Sequence, residues 1–357
     1  MIVRRQFIQS FLSAMAALYL PSTSHCADRS SQTPLNREFA IDSRSLTDDG
    51  DCIEAVIKVI GVGGGGCNAV EHMIGSGVKG VEFMCVNTDA QNLKSARAPK
   101  IIQLGNSGLS TGGNPDLASF AASESENALR SAMSGAHMLF ITAGLGGGTG
   151  TGAAPVIARI AKDMGILTLG MVTQPFEFEG PRRVNIANAG LDALEPHVDA
   201  MIVIPNEKSL TSMGDDATMA EAFTQTNDSI KEIVSGFSGI INVPSQVNID
   251  FKDVCDILTM PGHAAIGTAM ATGMNCARIA AEKALTFSVM DGVDLSKAKG
   301  VIVMISAAKG TLKLSDAKLA MNTIRAQTSP SADFIYGTID DENLNEGIRV
   351  TVMTTGL

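Results

Sequence analysis

The glycine-rich turns constrain this chain more than any other feature. Residues Gly147-Gly148-Thr149-Gly150-Thr151-Gly152 follow the apolar run Met138–Ala143 and lead into a helical pattern that starts at Ala153. A strand, a bare-backbone turn and a helix in that order make an anion cradle. Glycines let main-chain N–H groups approach a phosphate, and the helix adds its positive end. One such turn serves tight packing as readily as binding. A second lies upstream, where the buried-strand run Val56–Val62 continues through Gly63, Gly64, Gly65 and Gly66 into Cys67-Asn68-Ala69-Val70.

The upstream turn invites a dinucleotide-binding reading, but its spacing argues against it. The acidic residue expected about twenty positions on is represented only by Glu82 or Asp89, neither clearly at a strand end. No Gly-Lys-Ser or Gly-Lys-Thr occurs, which excludes a Walker-type P-loop. Two phosphate cradles without a P-loop lysine point to a different nucleotide fold. A net charge of −10 opposes a sequence-independent grip on nucleic acid, and none is expected as a partner. The six cysteines form no Cys-x-x-Cys pair, so neither a zinc ribbon nor a redox motif is indicated and reduced core thiols are expected.

From Val56 onward apolar strands alternate with helical stretches. Strands are predicted at 56–62, 81–86, 137–143, 166–173 and 199–204, and helices near 67–77, 116–133, 152–164 and 180–195. The alternation predicts an α/β architecture, a parallel sheet covered on both faces with ligands at the carboxyl ends of its strands. A long helical pattern from Met219 to Ile241 follows, then strands at 300–306, 333–339 and 347–354. Residues 28–51 have little apolar periodicity and read as a linker.

The glycine run at 147–152, its flanks Phe140–Leu145 and Ala153–Ala158, and the ordered motifs Val86-Asn87-Thr88-Asp89-Ala90-Gln91, Phe176–Gly180, Ile204-Pro205-Asn206 and Asn248–Asp253 resemble the FtsZ family. These are bacterial cell-division GTPases related to tubulin. The resemblance covers roughly residues 53 to 357. It implies a GTP-binding domain with a Rossmann-like parallel sheet over 52–218, a central helix over 219–241, and a smaller α+β C-terminal domain over 242–357.

The resemblance also implies roles. Gly63, Gly64, Gly65, Gly66 and Asn68 would hold the α and β phosphates and the nucleoside side of the pocket, and Gly147, Gly148, Thr149, Gly150, Thr151 and Gly152 the β and γ phosphates. By spacing alone Glu179 and Arg183 are an i,i+4 ion pair on a helix; the resemblance makes them ribose and phosphate contacts. Asn206 and Asp228 would read the base, Phe223 would stack on it, and Asn87 and Asp89 would complete the phosphate rim. Mg²⁺ would sit between GTP or GDP phosphates, with no protein-built metal cage. Asn248, Asp250 and Asp253 form the implied catalytic loop, which projects onto the γ-phosphate of the next subunit in a head-to-tail filament of this chain, or of this chain with another FtsZ copy. A non-hydrolysing GTP-binding scaffold is the alternative.

Several positions depart from the family pattern. Ser110, within Gly108–Pro115, stands where the family usually reads Gly-Leu-Gly-Ala-Gly and replaces a glycine expected to need positive φ. Cys67 stands where another glycine is frequent, Pro244-Ser245 replaces Pro-Gly, and Met274-Asn275-Cys276 replaces a more charged turn. The sequence ends at Leu357 directly after the last predicted strand, so adaptors that dock on a C-terminal peptide are not expected as partners. Arg4-Arg5 followed by the apolar stretch Phe7–Leu20 and small residues to Ala27 resembles a secretory, twin-arginine-like signal. A GTPase sent outside would lack GTP, so the resemblance implies a cytoplasmic protein at the division site, with residues 1–51 a signal-like or disordered extension.

Overall fold

A computed structural model describes residues 55–207, 218–242, 246–247, 249–286 and 294–357. The signal-like extension, Pro244, Ser245 and Asn248 lie outside the described residues. Six strands, β1 (Ile57–Val62), β2 (Glu82–Asn87), β3 (Lys100–Gln103), β4 (Met138–Gly144), β5 (Leu167–Gln174) and β6 (Ala200–Pro205), form one sheet in the order β3-β2-β1-β4-β5-β6. All pairings are parallel. β1 is buried at every position, as a strand covered on both faces must be.

The helices α1 (Gly63–Gly75), α2 (Ala90–Lys94), α3 (Pro115–Glu124), α4 (Glu126–Met133), α5 (Thr149–Asp163) and α6 (Pro181–Leu194) alternate with these strands. One face of the sheet packs Ile60, Leu139 and Ile141 against α3–α6 residues such as Leu129, Ile157 and Leu194. The other face packs Val59, Phe140 and Leu169 against α7 (Met219–Asn242), with Phe140 and Phe237 rings 5.6 Å apart. The same cluster continues into α8 (Phe251–Leu258) and Ile302, Met304 and Met353 of a second sheet.

That second sheet joins β7 (Ala265–Ala271), β8 (Gly300–Ala307), β9 (Asp333–Asp340) and β10 (Ile348–Thr355) in the order β7-β10-β8-β9. β10 runs antiparallel to both neighbours, while β8 and β9 are parallel. Helices α9 (Cys276–Leu285) and α10 (Leu314–Arg325) cover its outer face. Cys67, Cys85, Cys255 and Cys276 are free and buried.

The elements differ from the sequence reading in several places, and α1 starts at Gly63, four residues before the helix expected near 67–77. The expected helix at 116–133 is two helices broken at Ser125, whose hydroxyl accepts the Gly105 N–H at 3.0 Å. Helix α5 starts three residues earlier than its pattern, so Thr149–Thr151 belong to its first turn. Strands β3 and β7 were not expected: β3 buries only Ile102 of four residues, and the alanine- and glycine-rich β7 lacks the branched composition of a strand.

Candidate functional site

The order of the first sheet reverses between β1 and β4, and the crevice beyond the carboxyl ends of strands at such a switch is the usual ligand site. A cleft of about 520 Å³ opens there. Its floor is Gly64 and Gly65 at the start of α1 and Gly144–Gly150 running into α5, with Leu145 but not Gly146 on the lining. Gly63 makes the turn out of β1 at φ +71°. The upstream glycines are therefore the first turn of α1, and both helices aim their unpaired N–H groups into one cavity.

Of the residues singled out in the sequence, Gly64, Gly65, Asn68, Gly147, Gly148, Thr149, Gly150, Glu179, Arg183, Asn206 and Phe223 line this cleft, as do Asn87 and Asp89. Gly63, Gly66, Thr151 and Gly152 do not. A Cβ on Gly66 would collide with the Thr142 carbonyl oxygen, and one on Gly152 with that of Pro115. A Cβ on Gly63 would sit 2.9 Å from the Gly150 nitrogen. Thr151 is buried and its hydroxyl accepts the Gly146 N–H at 3.0 Å. These four pack closely against neighbouring segments and do not line the cleft.

Glu179 and Arg183 are ion-paired, but not along one helix as expected. Glu179 ends a 3₁₀ turn, Gly180 intervenes at φ +97°, and Arg183 lies in the first turn of α6. Glu179 also accepts the Phe176 N–H at 3.0 Å, which closes the turn. Phe223 stands edge-on to buried Phe176 with centroids 5.6 Å apart, leaving part of its ring exposed at the cleft. Asn206 is buried, and its Oδ1 accepts from the Thr226 hydroxyl at 3.4 Å. Asp89 caps α2 by accepting N–H bonds from Gln91 and Asn92.

Asp228 is misplaced by the sequence reading. Its carboxylate turns from the cleft to His72 Nε2 at 2.9 Å and Lys231 Nζ at 2.8 Å. Burial opposes its ionisation, yet the hydrogen bonds and charges of Lys231 and His72 prevail and hold its carboxyl below the usual range. The residue of α7 that lines the cleft beside Phe223 is Asn227.

Asp250 and Asp253 sit elsewhere. Asp250 precedes α8 and Asp253 lies in its first turn, both exposed, while Val254, Cys255, Ile257 and Leu258 are buried beneath them. Phe251 packs edge-on against His137, centroids 6.3 Å apart. His137 immediately precedes β4, and its Nδ1 accepts the Val56 N–H, immediately before β1, at 2.9 Å. The acids thus stand at the amino ends of the strands whose carboxyl ends form the cleft. Seven residues of β4 separate the two ends, about 20 Å of extended chain.

Residues 56–214 match the GTPase domain of the Tubulin/FtsZ family, and residues 262–357 match the C-terminal domain of the FtsZ family. The cell division protein FtsZ of Neisseria meningitidis serogroup A is 46% identical over 308 residues, 85% of this chain and 78% of that protein. The chain belongs to the FtsZ family. FtsZ of Wigglesworthia glossinidia brevipalpis is 44% identical over 85% of this chain and 80% of its own length. Among solved structures, an empty FtsZ dimer from M. jannaschii superposes with a TM-score of 0.80 at 36% identity, covering 85% of this chain and 89% of that one.

One departure from the FtsZ pattern loses its expected consequence. Ser110 was expected to strain a glycine position, yet only Asn275 and Asn345 take positive φ among described residues other than glycine. Ser110 adopts an ordinary backbone and lines the cleft with Thr111 and Gly113. Sequence reasoning missed Asn227, although the signal was present: position i+4 from Phe223 shares its helix face, whereas Asp228 at i+5 is turned away.

Proposed function

We propose that this protein binds GTP in the cleft, assembles head to tail into cytoskeletal filaments for cell division, and hydrolyses GTP where one subunit meets the next. The reading rests on membership of a GTPase family and, above all, on one separation. The cleft presents backbone donors, and its lining carboxylates are the helix cap Asp89 and the ion-paired Glu179, while Asp250 and Asp253 are exposed at the opposite end of the same sheet. Stacking copies head to tail brings the acids of one subunit to the cleft of its neighbour, and such heterologous contacts propagate as open filaments.

Each residue then takes a role. Phe223 stacks on the base. The carboxamides of Asn206 and Asn227 each offer a donor and an acceptor, which suits the mixed edge of guanine. Amides of Gly64, Gly65 and Gly147–Gly150 hold phosphates and stabilise the charge that develops on them. Glu179 and Arg183 close the ribose side. Asp250 and Asp253 of the next subunit, with Asn248 beside them in sequence, orient the attacking water and accept its proton.

Mg²⁺ fits this set only as an ion carried largely by the nucleotide. The carboxylates lining the cleft are Asp89 and Glu179, Glu179 is engaged by Arg183, and no group of three candidate ligands exists among the described residues. Asp89 is the residue that would hold it, directly or through water. The ion would neutralise phosphate charge during transfer. The setting we propose is the cytoplasmic division site. No helix among the described residues is long and apolar enough to cross a membrane.

GTP turnover measured against protein concentration with Mg²⁺, alongside sedimentation, tests the proposal. Specific activity that switches on together with pelletable polymer is the expected result. Turnover independent of concentration would overturn the shared site, and binding without turnover would favour a GTP-binding scaffold.

A further inference from the structure

We propose that Cys67 and Cys85 are a disulfide-forming pair, a redox modification site beneath the phosphate cradle whose closure a bound nucleotide opposes. Its link to nucleotide rests on the reading of the cleft as a GTP site. Cys67 sits on α1, two residues after the cleft-lining Gly65. Cys85 sits on β2 as the register partner of Gly61 on β1. The Cys67 Sγ lies 3.5 Å from the Gly61 carbonyl oxygen and 3.8 Å from that of Val86, the residue after Cys85. Both side chains enter the cluster that holds Val59, Val70 and Phe83, and the two thiols meet there in a hydrogen bond. That bond, together with burial, pushes the Cys85 thiol far above its usual range. Cys85 therefore stays protonated, and Cys67 is the sulfur that opens a reaction.

Burial alone would leave both thiols inert. The helix that carries Cys67 is made to open, however. Its first turn, Gly63–Gly66, consists of the poorest helix former after proline, Val62 ahead of it supplies no side-chain cap, and no acidic residue stands in that turn. A phosphate on the Gly64 and Gly65 amides supplies the missing cap, so an empty cleft lets the turn fray and exposes Cys67, while a filled one covers it. A peroxide is small enough to enter. The Cys67 sulfur attacks one peroxide oxygen and the O–O bond breaks; the leaving hydroxide takes the thiol proton and departs as water, and a sulfenic acid remains. The Cys85 sulfur then attacks that of Cys67, the S–S bond forms as the S–O bond breaks, and a second water carries off the Cys85 proton. The pair loses two electrons and the peroxide gains them. Bonded sulfurs stand closer than sulfurs in contact, so closure draws α1 toward β2. A Cβ on Gly61 would collide with the Gly66 carbonyl oxygen, so these segments have no slack to absorb the shift, and the amides of Gly64 and Gly65 move with it.

Treatment of the full chain with hydrogen peroxide, with and without GTPγS and Mg²⁺, followed by non-reducing peptide mapping and GTPγS titration, tests the pair. A Cys67–Cys85 linkage is expected, forming about tenfold more slowly with GTPγS at about ten times its Kd. The linked chain should bind GTPγS about tenfold more weakly, and dithiothreitol should restore it. Cys67→Ala, and Cys67→Gly with the residue frequent in the family, should keep their affinity through peroxide within about twofold, whereas Cys255→Ala should respond as the unaltered chain does. Cysteines 67 and 85 left unlinked, a linkage that forms equally fast with GTPγS, or a linkage that leaves affinity unaltered overturns the inference. A reduced chain that does not bind GTPγS overturns the GTP reading instead, and the peptide map still reports on the pair.

Discussion

The two ends of the six-stranded sheet are chemically unlike. At the carboxyl ends of β1 and β4 two helix N-termini converge on a cavity rich in donors, and its lining carboxylates are a helix cap and an ion-paired glutamate. At the amino ends, Asp250 and Asp253, at the start of α8, are presented to solvent. Phosphoryl transfer needs both halves: charge stabilisation around the phosphate and a base for the water. On the proposed head-to-tail reading the chemistry is tied to assembly, because the missing half of each site would arrive with the next subunit.

The largest effect should come from breaking the acidic end. Asp253→Ala should lower turnover about a hundredfold or more while leaving GTP affinity and folding unchanged, since the residue is exposed and remote from the cleft. Stopped turnover with intact nucleotide binding, read by titration and phosphate release, supports the division of labour; a parallel loss of binding breaks it.

Two glycines sharpen the other end. Gly66→Ala drives a Cβ into the Thr142 carbonyl and should cost about 2–3 kcal/mol of stability in urea unfolding. Gly64→Ala places its Cβ in open space, so stability should hold within about 0.5 kcal/mol while GTP affinity falls about threefold to tenfold. Equal destabilisation by both would make the cradle a packing device only.

Most of this architecture was legible. Buried strand runs ending in glycines revealed the parallel sheet and located the cleft, because β1 and β4 must be apolar on both faces. β3 and β7 escaped because edge positions relax that demand. At the site, the glycines were seen as one class although physics divides them. Gly64 and Gly147 face open space, whereas Gly66 and Gly152 are glycine because a carbonyl lies where a side chain would start. That contact joins residues far apart in sequence, so a linear pattern cannot show it. Asp228 was named as a base reader and Asn227 was not considered, and helix phase decides that Asn227 faces the cleft.

That pair gives the third contrast. Asn227→Ala should weaken GTP about tenfold by removing a base contact, and Asp228→Asn should leave affinity unchanged, both read by titration. A loss confined to Asp228→Asn would reverse the assignment.

Asp228 belongs to neither end, and its smaller effect lies in pH dependence. Its carboxyl is held below its ordinary value of 3.8, and Lys231, despite burial, is held above its ordinary 10.5 by Asp228 and Glu232. The lowered carboxyl contributes stability in full above 3.8, and this is lost as pH falls through the folded value; the raised ammonium contributes below 10.5 and loses that only as pH climbs past its own folded value. Between these limits the pair is intact. Because the Asp228 side chain is 40% exposed, screening limits its contribution to about 0.5–1 kcal/mol. Asp228→Asn should therefore be less stable than the unaltered chain by that amount at neutral pH, and the gap should close at a pH well below 3.8, where the native carboxyl takes up its proton. Urea midpoints of both proteins at the two pH values measure it. A gap that persists in acid would mean that Asp228 acts through packing rather than charge.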